Sequence, residues 1–108
     1  MQFLVELDIA LPAMEPAERE HLFSAERARG EALRDAGSIE RIWRVADRAA
    51  NVGIWRAQDA DVLDALLRSL PFYPHMTARV TPLEPHLLDA GGDDLDLAAC
   101  RRRSPRGQ

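Results

Sequence analysis

The opening residues constrain the chain most. Between residues 2 and 10, Phe3, Val5, Leu7 and Ile9 alternate with Leu4, Glu6, Asp8 and Ala10. An extended chain sends successive side chains to opposite faces, so this period predicts a β-strand with one well-buried face. Leu11-Pro12 ends it, because proline cannot donate to a ladder.

The pattern then changes period. Residues 16–36 read as a long helix, with Pro16 in the first turn and Glu15, Glu18 and Glu20 at its positive end. Leu22, Ala25, Ala32, Leu33 and Ala36 recur at helical spacing, and Gly37 follows as a C-terminal stop. Gly30 disfavours the helix by about 1 kcal/mol relative to alanine, which close packing against a neighbour would explain. Residues 39–46 and 51–57 are apolar-rich runs that predict a β-hairpin joined through Asp47-Arg48-Ala49-Ala50. A second helix is expected over 59–69, capped by Asp59 or Asp61, with Val62, Leu63, Leu66 and Leu67 as its buried stripe. Leu70-Pro71-Phe72-Tyr73-Pro74 is a rigid turn, and residues 75–83 make a last strand.

The order β-α-β-β-α-β predicts a ferredoxin-like α+β domain: a four-stranded antiparallel sheet with two helices on one face. Its other face would carry Leu4, with Ile42 or Trp43 and Trp55, which makes that face an oligomer interface or a ligand pocket.

The chain has 108 residues, one domain's worth, and we divide it into residues 1–86 and a tail, 87–108. The tail holds Gly91-Gly92-Asp93-Asp94 and a basic end, Arg101-Arg102-Arg103. It reads as a solvated tail, as an electrostatic interaction arm, or as a short helix at residues 95–99 docked on a neighbour. A net charge of −4 argues against a nucleic-acid or anionic-membrane binder. Cys100 is the only cysteine, so an intrachain disulfide and a thiolate zinc cluster are both ruled out. The N-terminus has no signal-peptide pattern and no run is long enough to span a bilayer, in keeping with a cytoplasmic protein.

Several blocks in order resemble the muconolactone isomerase family. They are Leu11-Pro12, Glu26-Arg27 with Leu33 and Gly37, Ile42-Trp43-Arg44-Val45-Ala46, and Ala50-Asn51. Leu70-Pro71-Phe72-Tyr73-Pro74-His75-Met76 and Val80-Thr81-Pro82-Leu83 with His86 complete the set. The resemblance spans residues 1–86. It implies a cofactor-free cytoplasmic enzyme of bacterial aromatic catabolism, with no metal, that turns muconolactone into the 3-oxoadipate enol-lactone. It also implies a ferredoxin-like subunit in a ring-based homodecamer.

Such a reaction moves a proton between two ring carbons, two positions apart, through an enolate. One base can do both transfers if burial raises its pKa toward neutrality. Glu26 matches the family's glutamate and is the candidate base; otherwise it is a surface carboxylate pairing with Arg29 or Arg19. Arg27 stands where the isomerase usually has lysine, and would hold the substrate carboxylate or remain solvated. Arg44 points to the opposite face from Trp43 and offers a planar fork for a carboxylate, or a cross-sheet salt bridge. Asn51 could donate to the enolate oxygen or cap the hairpin. Tyr73 and His75 flank Pro74 at a pocket mouth or pack between subunits. His86 is a surface residue or a contribution from a neighbouring subunit.

Arg48-Ala49 occupies the place of the family's usual His-Tyr, and Pro85 that of an arginine. These departures leave open a different lactone, a lactone dehalogenase or a non-catalytic binding domain.

Overall fold

The structure is a computed structural model and describes residues 1–88. Its elements are β1 (Gln2–Ile9), α1 (Pro16–Asp35), β2 (Ile39–Arg44), β3 (Ala50–Arg56), α2 (Ala60–Arg68) and β4 (Met76–Leu83), with a 3₁₀ turn at Tyr73–His75 before β4. The strands form one antiparallel sheet in the order β2-β3-β1-β4. This is the expected ferredoxin-like arrangement. Most of the expected tail, including residues 95–99, lies outside the described residues.

The alternation of β1 decides which side is core. Phe3, Val5 and Leu7 are buried, and the ladder sets Trp55, Gly53 and Asn51 of β3 opposite them on the same face. Trp55 therefore belongs to the core, at 1% exposure, and not to the bare face where the sequence reading put it. The reason is parity: the β1–β3 register gives Trp55 the same face as Phe3, and only a one-residue slip would reverse that. Leu33 of α1 and Leu63 and Leu67 of α2 close the core from above.

The other face keeps Leu4, Val52 and Ile54 half-buried and Trp43 exposed, with the Arg41 guanidinium 5.0 Å from the Trp43 ring centre. Nothing within the subunit covers it among the described residues.

Close approach of β2 to β3 depends on Gly53. A Cβ there would lie 2.6 Å from the Arg41 carbonyl oxygen, beside the bulge between Ile39 and Arg41. Gly53→Ala should destabilise the fold by about 1–3 kcal/mol, read from the urea midpoint. An unchanged midpoint would mean that β2 shifts freely.

Local signals set the helix ends. Asp59 Oδ1 accepts the Val62 N–H at 2.9 Å, so Asp59 is the cap of α2. Gly37, at φ +87°, follows α1, and the Ser38 and Gly37 N–H groups bond the Leu33 and Arg34 carbonyls. A Cβ at Gly30 would meet nothing within 4 Å beyond its own helix backbone among the described residues, so close packing inside the subunit is not its reason. Leu33, near the C-terminal end of α1, is the helix's only fully buried residue, and its N-terminal half covers the sheet more loosely.

Candidate active site

Leu22, Glu26, Arg29 and Leu33 recur three or four residues apart, so they share one face of α1. Two of them fasten the helix to the segment after α2. The Arg29 Nε donates to Ser69 Oγ at 2.9 Å, and Glu26 Oε1 accepts the Phe72 backbone N–H at 2.9 Å. The Phe23 ring meets Phe72 edge-on, centroids 5.2 Å apart, with the Arg19 guanidinium 4.7 Å from the Phe23 ring centre. Arg29 and Arg19 are thus engaged elsewhere, and Glu26 is not their ion-pair partner.

The Glu26 carboxyl is half-buried, and the two effects on its pKa oppose each other. Burial penalises the charged form and pushes the pKa up; the Phe72 N–H favours the anion and pulls it down. Burial prevails, so the group sits above the ordinary carboxylate value of 4.5. That is the direction a proton-accepting and proton-returning carboxylate needs.

Beside this contact lies a cleft of about 420 Å³ between the N-terminal half of α1 and the 71–75 turn. Met14, Leu22, Ala25 and Pro71 form its apolar walls, and Glu18, His21 and His75 its polar ones. The turn is fixed by backbone bonds: His75 N–H to the Phe72 carbonyl, and Ala10 N–H to the His75 carbonyl.

The sheet beneath supplies a second polar element. Arg44, Asn51, Leu7 and Ala78 stand in one row across the strands, on the helix-covered side. The row lies at the end of the sheet where Ile9 pairs with Met76, which is where the 71–75 turn enters β4. The Asn51 Oδ1 is buried and lacks a hydrogen-bond partner among the described residues. Arg44 is exposed and makes no ion pair among them. The turn that carries His75 and holds Glu26 thus enters the sheet at the end where Asn51 and Arg44 stand.

Tyr73 packs against the core, its ring centre 5.3 Å from the Arg68 guanidinium. Arg27 is exposed on α1. His86 is exposed, its Nδ1 accepting the Leu88 N–H at 3.0 Å. Arg48 is held by Asp8 at 3.1 Å, and Asp8 belongs to the uncovered face, so this arginine turns away from Glu26. Among the described residues there is no cluster of three or more His, Cys, Asp or Glu that could hold a metal, and no helix long and apolar enough to cross a membrane.

Three groups went unnoticed in the sequence. The Phe72 N–H is a backbone donor and carries no side-chain signal. Glu18 and His21 do share a helical line with Ala25, and that phase was readable.

A half-buried carboxyl whose pKa burial raises, beside a small cleft on a ferredoxin-like fold, is suited to acid–base chemistry. The family model for muconolactone delta-isomerase matches residues 1–89. The muconolactone delta-isomerase of Acinetobacter baylyi is 30% identical over 95 residues, covering 87% of this chain and 99% of that protein. Muconolactone delta-isomerase 2 of Acinetobacter lwoffii is 34% identical with the same coverage. A crystal structure of muconolactone isomerase superposes with a TM-score of 0.74 at 30% identity, over 80% of this chain and 91% of that one. A 5-chloro-2-hydroxyhydroquinone dehydrochlorinase from Burkholderia phenoliruptrix shares the fold, with a TM-score of 0.62 at 16% identity, over 82% of this chain and 99% of that one. The chain belongs to the muconolactone delta-isomerase family and is an isomerase.

Proposed function

We propose that the protein shifts the ring double bond of a small unsaturated lactone acid, muconolactone to its enol-lactone, with Glu26 as the single base. The observation that carries this is the desolvated Glu26 carboxyl, held by the Phe72 N–H beside the cleft. As the carboxylate, Glu26 takes the proton from the ring carbon that bears the acid arm. The electron pair moves through the ring double bond onto the lactone carbonyl oxygen, giving a dienolate. The same carboxyl then returns the proton to the carbon next to the carbonyl, so the double bond moves one position and nothing is lost. Because one group does both steps, the proton stays on one face of the ring. Neither step calls for a cofactor or a metal.

Charge develops on the carbonyl oxygen. We assign the donation to that oxygen to the Asn51 Nδ2 amide N–H, with Arg44 opposite Asn51 in the sheet row. We assign Arg27, Tyr73 and His86 no step in the reaction. The uncovered face with Leu4, Val52, Ile54 and Trp43 suits a homo-oligomer working in the cytoplasm, in the decamer that the resemblance implies.

The test is disappearance of the conjugated lactone's ultraviolet absorbance. Asn51→Ala should lower kcat by about 10²–10³-fold, as expected for removal of one enolate donor. A kcat equal to wild type would remove Asn51 from the mechanism.

A further inference from the structure

Three titratable side chains in the cleft take no part in the proton transfer. Glu18 and His21 lie on α1, three residues apart, the spacing at which helix side chains meet. His75 faces them from the 3₁₀ turn. Among the described residues none of the three side chains makes a hydrogen bond, ion pair or ring contact. Imidazoles serving the fold are usually tied to a carbonyl or a carboxylate. These two instead border an apolar cleft of about 420 Å³, within the range of small-molecule sites.

We propose that His21 and His75 clamp the carboxylate of a small organic acid whose apolar body rests on Leu22, Ala25 and Pro71. The two imidazoles offer ring N–H donors from opposite walls of the cleft, and Glu18 adds one acceptor. Glu18, three residues before His21 on α1, has the spacing to steady one ring N–H while the other turns to the ligand. A carboxylate that accepts from two imidazole N–H groups makes the stronger, charge-assisted kind of hydrogen bond. Leu22 lines the cleft one turn before Glu26 on the same helix face, and Glu26 is tied to Phe72 beside the lining residue Pro71, so an acid held there neighbours the base. The identity of the acid as the lactone's carboxymethyl arm rests on the isomerase reading; the cleft's preference for a carboxylate does not.

The probe is the saturated lactone acid (5-oxotetrahydrofuran-2-yl)acetate, which has no ring double bond to move, compared with its methyl ester. Binding to the full chain is followed by calorimetry and by the histidine ring resonances in NMR. The acid should bind about tenfold tighter than the ester, and the resonances of His21 and His75 should shift together. His21→Gln, at an exposed position, should weaken the acid about tenfold, leave the ester unchanged and raise KM for a turned-over lactone more than it lowers kcat. Equal affinity for acid and ester, unmoved histidine resonances, no binding, or an unaffected His21→Gln variant would each overturn the clamp. Histidine shifts without any turnover by wild type would contradict the isomerase reading and leave the clamp standing.

Discussion

Replacing Glu26 with glutamine should lower turnover of the lactone by about 10²–10⁴-fold, the usual contribution of a general base. Glutamine keeps an oxygen for the Phe72 N–H and nearly the same shape, so the tie between α1 and the turn survives. What disappears is the capacity to take and return a proton. In the wild type, activity should fall on the acid side with an apparent pKa above 4.5, because burial raises the Glu26 value. Stability should move the other way. Between the ordinary carboxylate value and the raised one, the folded protein holds a proton that the unfolded chain has released. The wild-type fold therefore loses stability as pH rises through that window, and the loss persists at neutral pH. Glu26→Gln should melt above wild type at neutral pH, and the gap should narrow as pH falls below 4.5. A variant less stable than wild type at neutral pH would show that the carboxylate serves the fold.

Trp55→Ala should destabilise the protein by about 3–5 kcal/mol. Trp55 is the largest fully buried side chain, opposite Phe3 in the ladder and within the cluster that Leu63 and Leu67 close. Small domains hold only about 5–15 kcal/mol in all, so this one change should remove much of the margin. Circular dichroism in urea reads the effect without relying on tryptophan emission. Trp43→Ala, on the uncovered face, should shift the midpoint of a dissociated subunit far less. Equal losses from the two variants would contradict the sided core.

The fold was readable because its signals are local. The alternation of Phe3, Val5 and Leu7 and the helical stripe of Leu63 and Leu67 name their own periods. So do the stops at Pro12 and Gly37. The face of Trp55 was not readable, because it depends on the register of β3 against β1, which is a tertiary fact. Trp43 and Arg44 fell on opposite faces as alternation requires, yet the cross-strand pairing of Arg44 with Asn51 needed the ladder. At the site, Glu26 emerged from a resemblance to a family glutamate and from its place beside Ala25. The Phe72 N–H that holds it comes from a turn more than forty residues away, and backbone donors leave no trace in side-chain pattern. His75 was placed at a pocket mouth by its rigid prolines, whereas His21 looked like one more polar residue on a charged helix.

We propose both proton transfers for a single carboxyl on α1, and that assignment can be tested directly. The most direct measurement is the ultraviolet turnover of muconolactone by purified wild type, with Glu26→Gln run beside it. Turnover by wild type, lost in a folded variant, is the expected result. Turnover that persists in the variant, or a folded and oligomeric wild type that leaves muconolactone untouched, would contradict it.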